Sequence, residues 1–270
     1  MQLIRHDPPG AATQHQRMLR RIRSPTHLAR DELAGRLRFV RGVNHIIPHA
    51  FYYSVRGIRR DERLPDVGPN SAWWDRFPAY ADRCRRLSWL NTDAQHICEI
   101  AILGAADHLP WRPAKACFQA QRDFNYLEER HLWEDVTDEN GVHLAGMTYR
   151  AVVLAHDADP KAAPALETLA RAGRLIRYTD DTALINQIDA LVPPDITVTP
   201  ACPSLRVRHA IKDGRHIHLL FNEERAPVIV SVANERFRIA RPLQRSDWGD
   251  GRIDLDSLSL AGYELAADPV

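Results

Sequence analysis

The hydrophobic pattern gives the first third of this chain a helix, a strand and a second helix. After a polar leader over residues 1–23, apolar side chains recur at helical spacing over residues 25–40. An apolar run over residues 43–47 then predicts a short buried strand. Aromatic and leucine positions predict a second helix that begins near Phe77, because Pro78 fits only the first turn of a helix.

Strands and helices alternate in the middle of the chain. Buried apolar runs indicate the strands, and amphipathic segments bounded by capping or helix-ending residues indicate the helices. The predicted elements, in order, are a strand at 97–103, a helix at 113–127, a strand at 151–155, a helix near 166–172, a strand at 174–178 and a helix at 182–191. This alternation predicts a parallel sheet covered by helices on both faces.

The last quarter of the chain changes to strand patterns. Residues 205–211 and 216–221 flank the dipeptide Asp213-Gly214, which favours a two-residue hairpin turn. Further strand-like runs follow between residues 228 and 240. These runs predict a β-rich antiparallel segment that has few strands for a complete sandwich.

Composition excludes several classes of protein. The 270 residues carry a formal charge of +1, with 44% hydrophobic and 26% charged residues. This balance is typical of globular proteins, whereas proteins that bind nucleic acid or anionic membranes usually carry a basic excess. No apolar run approaches the roughly 18 residues of a membrane helix, and the chain shows no secretory signal. We therefore expect a cytoplasmic protein without a nucleic-acid or membrane partner.

The sequence predicts no metal site and no cofactor. The four cysteines are scattered and form no C-x-x-C pair. His45 and His49 have the spacing of two zinc ligands on a helix, but Pro48 opposes a helix there and no glutamate follows His45. His216 and His218 would share one face of a strand, and we assign them no role.

The middle unit lacks the motifs of common α/β enzymes. The tetrapeptide GAAD at residues 104–107 follows its first strand, where a glycine-rich phosphate loop would stand, and no nucleophile elbow occurs. His156, Asp157 and Asp159 follow a buried strand, a position where α/β proteins bind ligands. A solvated loop is the simpler explanation of these three residues.

A dense polar and aromatic cluster follows the first predicted strand. Its members are Asn44, His45, His49, Tyr52, Tyr53, Glu62, Arg63, Asp66, Asn70, Trp73 and Trp74. Sugar-binding sites use this mixture, because sugar rings stack on aromatic side chains and sugar hydroxyls form hydrogen bonds with imidazole, amide and carboxylate groups. The alternative is that the aromatic residues belong to a core and the charges face solvent.

Parts of this cluster resemble the end of a glycosidase barrel. The segments GVNHIIPHAFYYS at residues 42–54 and ERLPDVGPN at residues 62–70, with Trp73-Trp74, are similar to large bacterial glycoside hydrolases related to α-L-rhamnosidases and β-galactosidases. The resemblance extends over about residues 24–265. In that group a (β/α)8 barrel is followed by a flavodoxin-like or glutamine-amidotransferase-like domain and then by β-sandwich modules.

The resemblance implies an α/β fold with a flavodoxin-like parallel sheet that has helices on both faces. A TIM-barrel remnant would precede this sheet, and a partial antiparallel β-sandwich would follow it. The implied domains are a loose leader at 1–23, a C-terminal remnant of a (β/α)8 barrel at 24–95, a flavodoxin-like α/β domain at 96–195 and a β-rich sandwich segment at 196–270.

The resemblance also bears on the active site. Barrel glycosidases use two carboxylates, which in the related barrels come from the ends of strands four and seven. Both strands would precede Ser24, so we expect the catalytic pair to be absent from this chain. A partial sugar-contact rim would remain. Its implied members are His45, His49 and Tyr53, together with Asp66 and Trp73.

Three functions stay open at this point. The first is a truncated or split glycoside hydrolase of carbohydrate metabolism, inactive unless a complementary barrel chain supplies the missing strands. The second is a non-catalytic oligomerisation or carbohydrate-binding module, since the equivalent domain of related β-galactosidases mediates trimer formation. The third is an independent enzyme of the flavodoxin-like fold, which no cofactor or nucleophile motif supports. The expected partners are therefore a carbohydrate and either a second copy of this chain or a complementary barrel chain.

Overall fold

The computed structural model describes residues 15–18, 35, 37–48, 68–69, 74–134, 136–224, 227–233, 237–242, 252–255 and 260–267. Over these residues the protein is mixed α/β and contains parallel and antiparallel sheets, as the sequence pattern predicts. None of the helices in these ranges combines the length and the apolar character that a membrane span requires.

The secondary structure is as follows. The strands are β1 (His15–Met18), β2 (His45–Pro48), β3 (Gln95–His96), β4 (Ile100–Gly104), β5 (Asn125–Glu128), β6 (Thr137–Asp138), β7 (Gly141–Leu144), β8 (Met147–Tyr149), β9 (Ala151–Leu154), β10 (Leu175–Arg177), β11 (Thr197–Thr199), β12 (Leu205–Lys212), β13 (Arg215–Asn222), β14 (Val228–Ala233), β15 (Phe237–Pro242), β16 (Arg252–Leu255) and β17 (Leu260–Ala267). The α-helices are α1 (Phe77–Asn91), α2 (Trp111–Gln119), α3 (Ala163–Arg171) and α4 (Asp181–Leu191). Short 3-10 helices lie at Trp74–Arg76, Glu129–Trp133 and Pro160–Ala162, and residues 37–40 are also helical.

The first part of the chain contains a two-stranded parallel sheet. β1 pairs with β2 in a register that joins His15 to His45. The predicted strand is therefore present, but the prediction that it is buried is wrong, because His45, Ile47 and Pro48 are exposed. Ile46 is half-buried and packs against a hydrophobic core. Successive side chains of a strand point to opposite faces, so β2 has one covered face and one open face.

The middle of the chain contains a four-stranded parallel sheet in the order β10, β9, β4, β5. Every residue of the two central strands, β4 and β9, is buried. Their apolar composition, without polar alternation, is typical of a parallel sheet that is covered on both sides. Apolar residues of α2, α3 and α4 pack into the same core, among them Cys117, Leu169 and Ile188.

The predicted helix over residues 113–127 is wrong in its second half. α2 ends at Gln119, and β5 then runs parallel to β4. Gln121 adopts a left-handed conformation with φ of 55°, and the Arg122 amide donates to the carbonyl of Cys117 at 2.8 Å. This is the geometry of a Schellman helix end, which glycine usually provides. The chain has a glutamine at this place, so the sequence carries no visible stop signal.

A small antiparallel sheet stands between β5 and β9, and the sequence pattern did not predict it. β7 pairs with β6 on one side and with β8 on the other. Its Val142 and Tyr149 are fully buried and belong to the core of the parallel sheet. The insertion therefore extends the same hydrophobic core.

The last part of the chain is antiparallel. Asp213 and Gly214 both have positive φ angles, 51° and 74°, and they close the predicted β12–β13 hairpin. This hairpin lies in a five-stranded sheet of order β15, β17, β13, β12, β3, and β11, β14 and β16 form a three-stranded sheet. The strand predicted over residues 97–103 begins later than expected: residues 100–104 form β4 in the parallel sheet, and residues 95–96, which precede the predicted strand, pair with β12.

β13 carries buried side chains on both of its faces. Leu220 packs against the three-stranded sheet through Val230 and Val232. Leu219 and Phe221 point the other way and pack against Phe39 and other residues of the first part of the chain. The C-terminal sheet thus forms a layer between two hydrophobic clusters.

Candidate functional site

The structure describes one of the five residues predicted to form a sugar-contact rim. His45 is the first residue of β2 and is exposed. His49, Tyr53, Asp66 and Trp73 lie outside the described residues. The predicted convergence of these five side chains therefore stays a prediction.

A groove of about 380 Å³ runs between β2 and α1, beside His45. Its lining residues are His45, Ile46, Pro48, Phe77, Tyr80, Ala81, Cys84, Arg85 and Ser88. The groove is mostly apolar, with aromatic rings on the α1 side and an imidazole on the β2 side. Its volume lies at the lower end of the range for small-molecule sites, roughly 300–1,000 Å³.

A cluster of three histidines and one aspartate lies on the β12–β13 hairpin. His209 and His218 are cross-strand partners, and their rings stack with centroids 4.0 Å apart. Nε2 of His218 lies 2.6 Å from a carboxylate oxygen of Asp195, and Nδ1 of His209 lies 3.1 Å from the other oxygen. Nε2 of His209 lies 2.8 Å from Nδ1 of His216. We call these four residues the histidine cluster.

A β-hairpin and a connecting segment build the histidine cluster. β12 and β13 hold the histidine backbones in an eight-residue ladder of cross-strand pairs. Asp195 comes from the connection between α4 and β11, directly after Pro193 and Pro194. Prolines restrict the backbone of such a connection. His209 and His218 are almost completely buried, whereas the Asp195 side chain is 40% exposed.

Burial and hydrogen bonding set the charges in the histidine cluster. Burial acts to raise the pKa of Asp195, but hydrogen bonds from His209 and His218 outweigh it and hold that pKa well below its ordinary value. Burial lowers the pKa of His209, although the Asp195 hydrogen bond opposes this, and burial also lowers the pKa of His216. At neutral pH we therefore expect an ionised carboxylate beside neutral His209 and His216 rings.

The histidine cluster can hold a metal ion. Asp195, His209 and His218 each place one possible ligand atom within 4.8 Å of the others. A cavity of about 170 Å³ adjoins Asp195 and His209 and is also lined by residues 121–123 and 192–194. Two histidines and a carboxylate are an established ligand set for divalent transition metals.

Our sequence analysis missed this cluster, although one signal for it was available. A two-residue turn at Asp213-Gly214 fixes the hairpin register, and that register sets His209 opposite His218. Nothing in the sequence indicates that Asp195 contacts these two histidines. That contact depends on the path of the chain through α4 and β11.

A second polar group lies beneath Phe118. Nε2 of His96 lies 2.6 Å from a carboxylate oxygen of Asp123, and the Arg41 guanidinium stacks on the Phe118 ring at 3.5 Å. Arg208 is buried beside them. These five residues line a cavity of about 50 Å³. Burial lowers the pKa of Arg208, which the charge of Asp123 opposes. This space is too small for a sugar, and the group joins the three parts of the chain.

The loop after β9 also differs from a simple solvated loop. The His156 side chain is only 10% exposed, and its Nε2 lies 3.1 Å from a carboxylate oxygen of Glu129. Asp159 accepts a hydrogen bond from the Lys161 amide and caps a short 3-10 helix. Asp157 is exposed. The solvated-loop interpretation therefore holds for Asp157 and is wrong for His156.

The fold is similar to that of solved glycoside hydrolases. A rhamnosidase from Novosphingobium sp. PP1Y aligns over 87% of this chain with a TM-score of 0.56 and 14% sequence identity. The chain has a glycoside-hydrolase-related fold. A β-galactosidase from Rahnella sp. R3 aligns over 90% of this chain, with a TM-score of 0.53 and 7% identity. A catalytic mutant of a GH42 β-galactosidase from G. stearothermophilus aligns over 87% of it, with a TM-score of 0.51 and 11% identity.

The alignments cover only part of those proteins. This chain spans 29% of the rhamnosidase and 52% and 50% of the two β-galactosidases. The sequence matches no protein-family model and no curated protein. The likeness therefore concerns the fold.

Proposed function

We propose that this chain belongs to a glycoside-hydrolase-like protein of carbohydrate metabolism. In this proposal residues 24–95 are the C-terminal remnant of a (β/α)8 barrel, residues 96–195 are a flavodoxin-like domain, and residues 196–270 are a partial β-sandwich. The observation that carries the proposal is the alignment of 87% of the chain with a rhamnosidase fold. The parallel strand β2 followed by α1 supports the barrel assignment of residues 24–95, although its partner β1 lies in the predicted leader, which is therefore not without structure.

The proposed ligand is a sugar, held by His45, His49 and Tyr53 and, beside them, by Asp66 and Trp73. His45 supports this assignment, because it is exposed and borders a groove with the aromatic residues Phe77 and Tyr80. Sugar rings pack on aromatic faces, and an imidazole can form a hydrogen bond with a hydroxyl group. The ligand class is thus a mono- or oligosaccharide.

We further propose that this chain alone does not hydrolyse glycosides and does not supply the two catalytic carboxylates of a barrel glycosidase. Purified protein incubated with aryl α-L-rhamnosides and aryl β-galactosides should release no phenol above the buffer rate. Hydrolysis that is abolished by His49→Ala would overturn this proposal. The activity would then belong to a complete site in this chain.

Sugar binding can be tested apart from hydrolysis. Titration with L-rhamnose and D-galactose, followed by calorimetry, should give a Kd that rises about three- to tenfold in His45→Ala, the value of one hydrogen bond. His143→Ala is a matched control, because His143 is another exposed strand histidine, paired with Asp138 in a different sheet. Equal effects of both substitutions, or no binding of either sugar, would contradict the sugar-contact role of His45.

The alternative function is a non-catalytic oligomerisation or carbohydrate-binding module. The open face of β2 favours it, because Ile47 is 42% exposed there. Among the described residues the β1–β2 sheet has no third strand, so each strand has one unpaired edge within that part of the chain. Exposed edges and apolar side chains are typical of surfaces that pair with another chain.

A further inference from the structure

The histidine cluster has a composition that structural stability does not require. Two nearly completely buried imidazoles of the hairpin, His209 and His218, share one carboxylate, that of Asp195. Nδ1 of His218 is buried and has no hydrogen-bond partner within the described part of the chain. Buried polar groups of this kind are often retained for a ligand.

We propose that Asp195, His209 and His218 bind a divalent transition metal ion, with Zn²⁺ as the best-matched ion. The ligand atoms would be one carboxylate oxygen of Asp195, Nδ1 of His209 and Nε2 of His218, which are the atoms that already converge. This proposal does not depend on the proposed function.

The distances within the cluster suit this ion. Zinc binds histidine nitrogen and carboxylate oxygen at about 2.0–2.2 Å, so neighbouring ligands of a tetrahedral site are about 3.3 Å apart. The nitrogen–oxygen distances here are 2.6 Å and 3.1 Å. Entry of the ion needs only a small outward movement of Asp195, which lies in a connection rather than in a strand.

Proton positions in the cluster also allow the ion to bind. In the hydrogen-bonded arrangement Nδ1 of His209 and Nε2 of His218 donate to the carboxylate. When a metal takes these positions, each ring carries its proton on the far nitrogen instead; His216 then carries its own proton on Nε2 and accepts at Nδ1 from Nε2 of His209, so no proton is lost. Among the described residues Nδ1 of His218 has no hydrogen-bond partner in either tautomer, so the change adds no further unpaired group there.

His216 supplies the outer contact that metal-bound histidines usually have. The far nitrogen of His209, Nε2, lies 2.8 Å from Nδ1 of His216. A metal-bound histidine normally donates its second ring N–H to an acceptor, most often a carboxylate, a backbone carbonyl or a water, and Nδ1 of His216 is an acceptor in this place; the contact fixes the tautomer and the ring orientation. His216 is therefore a positioning residue in this proposal, and His209 is the ligand.

The site has an open side. The Asp195 side chain is 40% exposed, and the adjoining cavity of about 170 Å³ reaches His209. Three protein ligands with an open fourth position leave room for a water molecule. The ion would thus be accessible from solvent and exchangeable with a chelator.

The proposal is tested with the full chain after removal of metals by a chelator and dialysis. Addition of ZnCl2 should load one ion per chain that survives gel filtration, as measured by atomic emission, and should raise the Tm. Co²⁺ should give visible absorption bands of a low-coordinate site. Asp195→Asn, which keeps the side-chain shape, should weaken Zn²⁺ binding by at least about tenfold.

A matched control is Asp138→Asn. Asp138 also accepts a hydrogen bond from a histidine, His143, at 2.9 Å, but in a pair without a second imidazole. This variant should bind Zn²⁺ like the parent chain. Because Asp195→Asn could alter folding, the circular dichroism and Tm of both metal-free variants are measured first, and His218→Gln provides a second test of the same site. No binding by the parent chain, or equal affinity in parent, Asp195→Asn and His218→Gln, would overturn the proposal and leave a hydrogen-bonded structural cluster.

Discussion

Burial controls the chemistry of the cysteine side chains. Burial raises the pKa of Cys117 to about 12 and raises that of Cys98 well above its usual value. Cys202 is also buried, whereas Cys84 is half-buried and lines the groove beside β2. The nucleophilic form of a cysteine is the thiolate. The folded protein should therefore contain three unreactive thiols and one accessible thiol.

We expect one fast-reacting cysteine in the native state. With a disulfide reagent at about pH 8, where an ordinary thiol is partly ionised, Cys84 should react first, and all four cysteines should react after denaturation in guanidinium chloride. Absorbance of the released chromophore measures both counts. Cys84→Ser should remove the fast phase. Two or more fast thiols in the native parent chain would contradict the burial of at least one of Cys98, Cys117 and Cys202.

The histidine cluster could not be recognised from the identity of its residues alone. His216 and His218 occupy one face of a strand, and their spacing carries no sign of a ligand site. Their chemistry arises from His209 on the neighbouring strand and from Asp195, which is 14 residues before His209 in the chain. Hydrogen bonds from the two histidines lower the pKa of Asp195, and burial lowers the pKa of His209.

At the scale of single elements, two glycines have different reasons for their positive φ angles. Gly141 in β7 has φ of 137°, and a Cβ placed there would clash with the backbone oxygen of Tyr149. Gly214 in the β12–β13 turn has φ of 74°, and a Cβ there would meet no atom within 4 Å. The first glycine is required by packing and backbone angle, and the second by backbone angle alone.

This difference predicts unequal losses of stability. Gly214→Ala should lower the free energy of unfolding by about 1–2 kcal/mol, the cost of a left-handed alanine. Gly141→Ala should lower it by about 3 kcal/mol or more, because a backbone clash adds to the conformational cost. Urea unfolding followed by circular dichroism measures both values. Equal losses, or a smaller loss at Gly141, would contradict the close approach of β7 to Tyr149.

The elements also show why the sequence pattern succeeded in some places and failed in others. The β12–β13 hairpin was predictable, because Asp213-Gly214 has a strong turn preference. The end of α2 was not predictable, because Gln121 takes the left-handed position that glycine usually holds. Phe124 and Leu127 continue the helical spacing by coincidence, and pairing with β4 decides that the second segment is a strand.

At the scale of the whole molecule, the first and last parts of the chain share a core. Phe39 and Leu87 pack against Ile217, Leu219 and Phe221 of β13. The buried amide of Asn91 donates to the carbonyl oxygens of Phe39 and Val43 at 2.8 Å and 3.0 Å. The helical segments near β2 are thus held against the C-terminal sheet, which leaves the open face of β2 to solvent.

The open face of β2 predicts the behaviour of the protein in solution, if the chain acts as an assembly module. Ile47→Arg should shift the protein to monomer at concentrations where the parent chain associates, because a charge in an apolar contact is costly. Ile229→Arg is the matched control, since Ile229 is another exposed strand isoleucine, at 52% exposure on β14. Light scattering after gel filtration measures the masses. A parent chain that stays monomeric at all concentrations, or equal loss of association in both variants, would contradict this function.

The sequence by itself determined the α/β character, the buried central strands, the start of α1 and the C-terminal hairpin. Each of these depends on local periodicity or turn chemistry, which neighbouring residues encode. Only the tertiary structure decided that Gln95–His96 joins β12 instead of the parallel sheet, and that Asp195 meets His209 and His218. These contacts join distant parts of the chain, and their free energy comes from the packing of whole layers, which no short stretch of sequence contains.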